Sequence, residues 1–304
     1  MKSSKILNNG IGTKIWVTAI ILGWLSLTIG LYAATAFGQW LETAGMHETA
    51  VQLCKGGIIC AVSLTAVYCI QTRMLRKTWR DIYTSTRLRE GIARFFIGTG
   101  LAVGLASVGF LFACWQGWIT IAQWHVSPEF IKSILINIIF AFLYEALPEE
   151  TVLRGFVYGT LKSKLPAVVA FLCQLGMFVL VPITVSYLQM LSGMETGNLI
   201  NAEYVILLLC FGTTLQLLRN ATRSLWASIG FHLAYLEISR FVVLQREQRL
   251  FTYQEAIPGT GEFFVLFFMT IIVAAMVLAC LLTVRRFRAN KQAAFDNRSF
   301  EDKI

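Results

Sequence analysis

"ALPEETVLRGFVYG", residues Ala146–Gly159, places two adjacent glutamates, an arginine and a glycine at the end of a long apolar run. The run itself, about 130–147, is one of eight such segments in the chain. Of 304 residues, 56% are hydrophobic and only 14% are charged, against about 25% charged in ordinary soluble domains. Apolar segments of this length cross membranes. The expected fold is therefore all-α: a polytopic transmembrane helical bundle of about eight spans, forming a single integral membrane domain over 1–304.

Working outward from that run, the spans fall at about 14–37, 49–70, 92–122, 130–147, 166–189, 203–218, 224–243 and 262–284. The fourth and sixth are near the lower limit for crossing, and the third is long enough to tilt or to continue past the bilayer. Pro148 is expected to interrupt or cap the fourth. The first span ends in Ala34-Thr35-Ala36, which resembles a cleavage site, but its apolar region is too long for an ordinary signal peptide.

Orientation follows from the basic residues. With the first segment inside, 21 of the 26 lysines and arginines fall in inner segments, among them Lys2, Lys5, Arg87 and Lys303; only Lys132, Arg246 and Arg249 fall in outer loops. This bias predicts that both termini are cytoplasmic. It also accounts for the net charge of +9 without nucleic acid as a partner. Trp40, Trp115, Trp118 and Trp124 collect toward the outer interface, as aromatic belts do. The basic inner loop 71–91 is expected to lie along the anionic leaflet as an interfacial helix. The outer loop 244–261, with Arg246, Glu247, Arg249 and Glu255, is read as partly helical, and 286–304 as a cytoplasmic tail.

The seven cysteines lie in or beside apolar runs and form no CxxC, so a disulfide framework or zinc–thiolate site is not expected; they read as small buried hydrophobes.

Glu150 and Arg154 are four residues apart, so on a helix they share a face and can pair. Glu149 is offset and free to point elsewhere, with Glu145 one turn before it. Two readings are open. The charges form an ion-paired interface at the inner end of the span, or one carboxylate is a general base that activates water. The seventh span, "TRSLWASIGFHLAYLEISRF" (Thr222–Phe241), places His232 nine residues beyond Arg223, or about 13 Å along a helix. A polar ring at that depth needs a partner, and Glu149 or Glu145 could supply one.

"EETVLRG" (Glu149–Gly155) and "RSLWASIGFH" (Arg223–His232) together resemble two motifs of the CPBP family. This is a family of intramembrane proteases that includes CAAX-processing enzymes and bacteriocin-processing or immunity proteins. The resemblance covers about 130–240. It implies Glu149 as the base that polarises a water, Glu150 and Arg154 as its positioning pair, and His232 as a ligand of the water or the oxyanion. It further implies a peptide or membrane-protein substrate cut near the cytoplasmic leaflet, a place in the cell membrane with the lipid bilayer as surroundings, and a divalent metal as a possible cofactor. Two family positions differ here. The asparagine one turn after the histidine is Leu236, and the histidine of the family's FxxxH falls on Leu175 (after Phe171) or Pro182 (after Phe178). Depth favours Leu175, with Gln174 as the polar side chain at the right level to donate a hydrogen bond. The usual metal-holding histidine pair is thus absent. The alternative to a protease is a family member that has lost catalysis and acts as a scaffold or immunity protein; a transporter fits less well, because no repeat symmetry is visible.

Overall fold

Eight long helices carry the architecture, and the computed structural model describes them within residues 12–83, 88–194, 200–244 and 248–301. Lys2, Lys5, Arg87, Arg246, Glu247 and Lys303, which enter the charge count, lie outside the described residues. The first two helices, α1 (Thr13–Thr43) and α2 (Glu48–Met74), form an antiparallel pair joined by a tight turn at Gly45 (φ 78°). A short helix α3 (Arg80–Tyr83) leads to α4 (Leu88–Trp115) and strand β1 (Ile119–Trp124). Next come α5 (Pro128–Leu161), α6 (Ala167–Leu191) and α7 (Ala202–Thr222). Helix α8 (Leu225–Ile238) continues through a wide π-helical turn (Ser239–Val243), strand β2 covers Phe251–Glu255, and α9 begins as a wide helix (Thr260–Val273) and runs on as Ala274–Glu301.

Seven of these helices are long and apolar enough to cross a membrane. The exception is α8, which sequence reading takes as the seventh span. It carries His232, Glu237 and Arg240 and is buried along most of its length. A helix surrounded by protein can hold such residues because its neighbours, not lipid, satisfy them. Its crossing with α4 is tight enough to need glycine on both sides. A Cβ on Gly98 would lie 1.9 Å from the Ala227 carbonyl oxygen, and one on Gly230 would lie 2.1 Å from that of Phe95. Small residues let membrane helices approach to backbone contact, and Thr99 Oγ1 donates to the Gly230 carbonyl across the same crossing (3.2 Å).

Helix α5 overturns the expected boundary at Pro148. It is one helix of 34 residues, so Glu149, Glu150 and Arg154 sit inside it and not at its end. Ser127 caps it by accepting from the Phe130 N–H (3.1 Å), and Pro128 fits the first turn, where no N–H is needed. Pro148 is accommodated by a wide turn at Phe142–Ala146, in which the Leu147 N–H reaches back five residues to Phe142. The next bond in that pattern would run from residue 148 to Leu143, and proline cannot make it. The Cys60 thiol of α2 donates to the Leu143 carbonyl instead (2.9 Å). A second wide segment, Glu150–Val157, follows at once.

Three other expectations are corrected. The third span does not reach residue 122: α4 ends at Trp115, and "ITI" alternates apolar and polar side chains before a bulge at Ala122, so "ITIAQW" forms β1, paired antiparallel with β2 from Ile119↔Glu255 to Trp124↔Phe251. The loop 244–261 is thus stranded where helix was expected. The stretch 71–91 is not one surface helix. Among its described residues it holds a wide turn, α3 and the start of α4, and Ile82 is buried against Gly155 under the bundle. The stretch read as a cytoplasmic tail, 286–304, continues α9 as helix as far as Glu301.

The cysteines are also less buried than expected. Cys173 and Cys280 are exposed and the other five are half-buried, all of them free. Exposure to lipid suits a weakly polar thiol as well as a protein core does. Of the tryptophans assigned to the belt, Trp40, Trp115 and Trp124 are largely exposed and Trp118 is half-buried.

The main core runs through every long helix, from Ala19 to Leu278, and a smaller cluster under the strands gathers Ala113, Ile119, Phe251 and Tyr253. Indole N–H groups pin α1 across the bundle: Trp16 donates to the Thr160 carbonyl and Trp24 to that of Met177, each at 2.8 Å.

Candidate active site

The wide turns of α5 aim neighbouring acids in different directions. Glu150 points into the protein and is wholly buried. Its Oε1 accepts from Arg154 Nη1 at 2.7 Å, the pairing that the four-residue spacing predicts, and lies 3.3 Å from His232 Nδ1 on α8. Arg154 is equally buried, and its guanidinium lies 4.2 Å from the ring centre of Phe178 on α6. A cation over an aromatic face recovers part of the desolvation cost.

The histidine's partner is thus Glu150, where Glu149 or Glu145 was expected. The difference follows from α5 continuing past Pro148, which brings Glu150 level with His232. The contact also fixes the ring. Glu150 faces a guanidinium and is an acceptor only, so Nδ1 of His232 carries the proton and donates. In the neutral ring Nε2 then has a free lone pair. Phe211 of α7 meets the ring edge to face at 5.0 Å and holds its plane.

Glu149 lies on the other side of this pair and lines a cavity of about 390 Å³ together with His232. The two interact electrostatically across it. The walls are Leu31 of α1, Leu153 of α5, Phe178, Val181 and Pro182 of α6, Tyr204, Leu207, Leu208 and Phe211 of α7, and Tyr235, Leu236 and Ser239 of α8. Glu145 and Arg240 close one end as an ion pair. Nearby, Asn137 Nδ2 donates to Glu237 at 2.6 Å. A second cavity of about 670 Å³ lies between α7, α8 and the start of α9, and Tyr204, Leu207, Tyr235, Ser239 and Leu244 line both.

Leu236 lines the cavity, so the wall one turn beyond His232 is apolar as expected. On α6 it is Phe178 and Pro182 that face the cavity, not Leu175, which is buried against Gly212 of α7. The depth argument chose the wrong register because it set the glutamates at the inner end of a short span. Gln174 shares the fate of Leu175. It is fully buried, lies outside the cavity lining, and neither of its polar atoms has a partner among the described residues. Sequence reasoning missed Tyr204, Tyr235 and Arg240. Arg240 could have been found, since a charge within an apolar span asks for a partner; nothing in the sequence marks the tyrosines.

A divalent metal does not fit this donor set. Of the cavity's ligating side chains, Glu145 is taken by Arg240, and no group of three or more His, Cys, Asp or Glu able to hold an ion exists among the described residues.

No curated protein and no solved structure matches the chain. Residues 131–235, about a third of the chain, match the model of the family described as type II CAAX prenyl endopeptidase Rce1-like, of the CPBP group, and they hold Glu149, Glu150, Arg154 and His232.

Proposed function

We propose that the protein is a glutamate-dependent intramembrane endopeptidase that cuts the C-terminal region of a prenylated, CAAX-type peptide or membrane protein near the cytoplasmic leaflet of the plasma membrane. The observation that carries this reading is the buried Arg154–Glu150–His232 chain standing against a cavity that Glu149 also lines. Glu150 is spent on orientation: it fixes the tautomer of His232 and balances Arg154. Glu149 is left to act on substrate. A water held between the Glu149 carboxylate and His232 Nε2 loses a proton to Glu149 as its oxygen attacks the scissile carbonyl. The proton then passes to the leaving nitrogen as the C–N bond breaks.

The test is direct. The purified protein in liposomes, given a peptide ending in a farnesylated CAAX sequence, is expected to yield a product with a new carboxyl terminus, read by mass spectrometry. Failure to cut this peptide, its unprenylated form and unrelated membrane peptides would count against any protease reading. Pro182 and Leu236, at positions where the family has polar groups, favour the second reading: a member that binds peptide without cutting it, as a scaffold or immunity protein.

The reading places both termini in the cytoplasm, on the strength of the charge bias. Reporters fused after Glu42 and after Tyr83 are expected to report opposite sides of the membrane. Signals from the same side would remove the inward-facing site.

A further inference from the structure

Peptide hydrolysis needs more than a base. When water attacks, the carbonyl π electrons move to oxygen, and that developing anion must receive hydrogen bonds. The cavity's inventory of donors is short. A neutral His232 cannot serve: its one N–H is given to Glu150, and Nε2 offers a lone pair. Glu145 and Glu149 are acceptors when ionised. Arg240 gives Nη2 to Glu145, which holds its charge there, and its Nη1 has no partner among the described residues. Pro182 and Leu236 have no side-chain donor.

The neutral donors of the lining are three hydroxyls, on Tyr204, Tyr235 and Ser239. Tyr235 packs against Phe211 with ring centres 4.6 Å apart, and its charge neighbour is Glu262, which lines the second cavity and not the first. Ser239 lies seven residues beyond His232 in the wide turn of α8, about two turns from the ring. Tyr204 differs from both. It stands in the first turn of α7, where the Asn201 side chain accepts from its backbone N–H at 2.8 Å and fixes the turn. Tyr204 lines the cavity, and the charge neighbours of its phenol are Glu149 and Glu145.

We infer that Tyr204 is a catalytic residue of the proposed hydrolysis: its phenolic O–H donates to the carbonyl oxygen as that oxygen becomes an anion. The proton stays on Tyr204 throughout. The water proton goes to Glu149 and on to the leaving amine, so nothing is oxidised or reduced. On this reading, a donor from α7 does the work that the family resemblance assigns to polar groups at the positions of Pro182 and Leu236.

This inference rests on the protease reading, and its test separates the two. Wild type and Tyr204→Phe are compared in liposomes on the farnesylated CAAX peptide. Tyr204→Phe keeps the ring and the backbone cap, so kcat is expected to fall about 10²–10³-fold, as for loss of one oxyanion donor, with KM and melting temperature nearly unchanged. An inactive wild type ends the protease reading and this inference with it. An active wild type with an equally active Tyr204→Phe overturns this inference alone, as does the full loss appearing in Tyr235→Phe instead. Should Tyr204→Phe fold poorly, the ratio of affinities for a tetrahedral phosphonate analogue and for the parent peptide decides, because loss of folded protein leaves that ratio unchanged. The ratio is expected to fall; a constant ratio overturns the assignment.

Discussion

Arg154→Ala is expected to lower stability by about 3–5 kcal/mol, the usual cost of removing one partner from a buried ion pair. Both Arg154 and Glu150 are fully buried, so no water can replace the lost guanidinium. The substitution leaves Glu150 with only the His232 N–H and removes the cation from the face of Phe178. Arg154→Lys is expected to fall between, because an ammonium can bond Glu150 but cannot lie flat on the ring. Pairing Arg154→Met with Glu150→Gln is expected to recover much of the loss, since it removes the uncompensated charge. Thermal unfolding in detergent measures all three. An unchanged melting temperature for Arg154→Ala would refute the buried-pair account.

The second large effect is on turnover. Glu149→Gln is close to isosteric and removes only the ability to take a proton. Loss of a positioned general base typically costs about 10²–10⁴-fold, and that loss is expected in kcat for the CAAX peptide. Stability should hold, because the ion pair below Glu149 belongs to Glu150 and Arg154. The variant also separates the two functional readings in cells. A protease loses its phenotype with Glu149→Gln, whereas a scaffold keeps it. Full retention of the phenotype, with wild-type expression, would remove the enzyme reading.

The parts of this molecule that follow local rules were legible in the sequence. Composition gave the membrane and the helices. The spacing of Glu150 and Arg154 gave their pairing, and the scarcity of polar groups at depth singled out His232. Three matters were not legible, each for a physical reason. Proline usually ends a helix, but a wide turn and a thiol donated from another helix let α5 pass through Pro148. That continuation shifted the glutamates relative to the other helices, so the partner of His232 and the cavity-facing register of α6 were both misread. The strand at 119–124 was absorbed into the preceding apolar run because total hydrophobicity was weighed above alternation. Tyr204 and Tyr235 could not be singled out at all: their role depends on which faces of α7 and α8 meet, and that is a property of packing.

The length of α5 has a consequence for the surrounding lipid. Its 34 residues extend about 51 Å, against a hydrocarbon core of about 30 Å. Membrane helices tilt by up to about 40°, which shortens the projection of this one only to about 39 Å. Part of α5 therefore stands in the headgroup layer, and the depth of Glu149, 12 residues before Leu161, is set by which part. On the protease reading, hydrophobic mismatch becomes a control on hydrolysis. In lipids with longer acyl chains the site sinks farther from the aqueous phase, and both the incoming water and the newly charged product have a longer apolar path to cross.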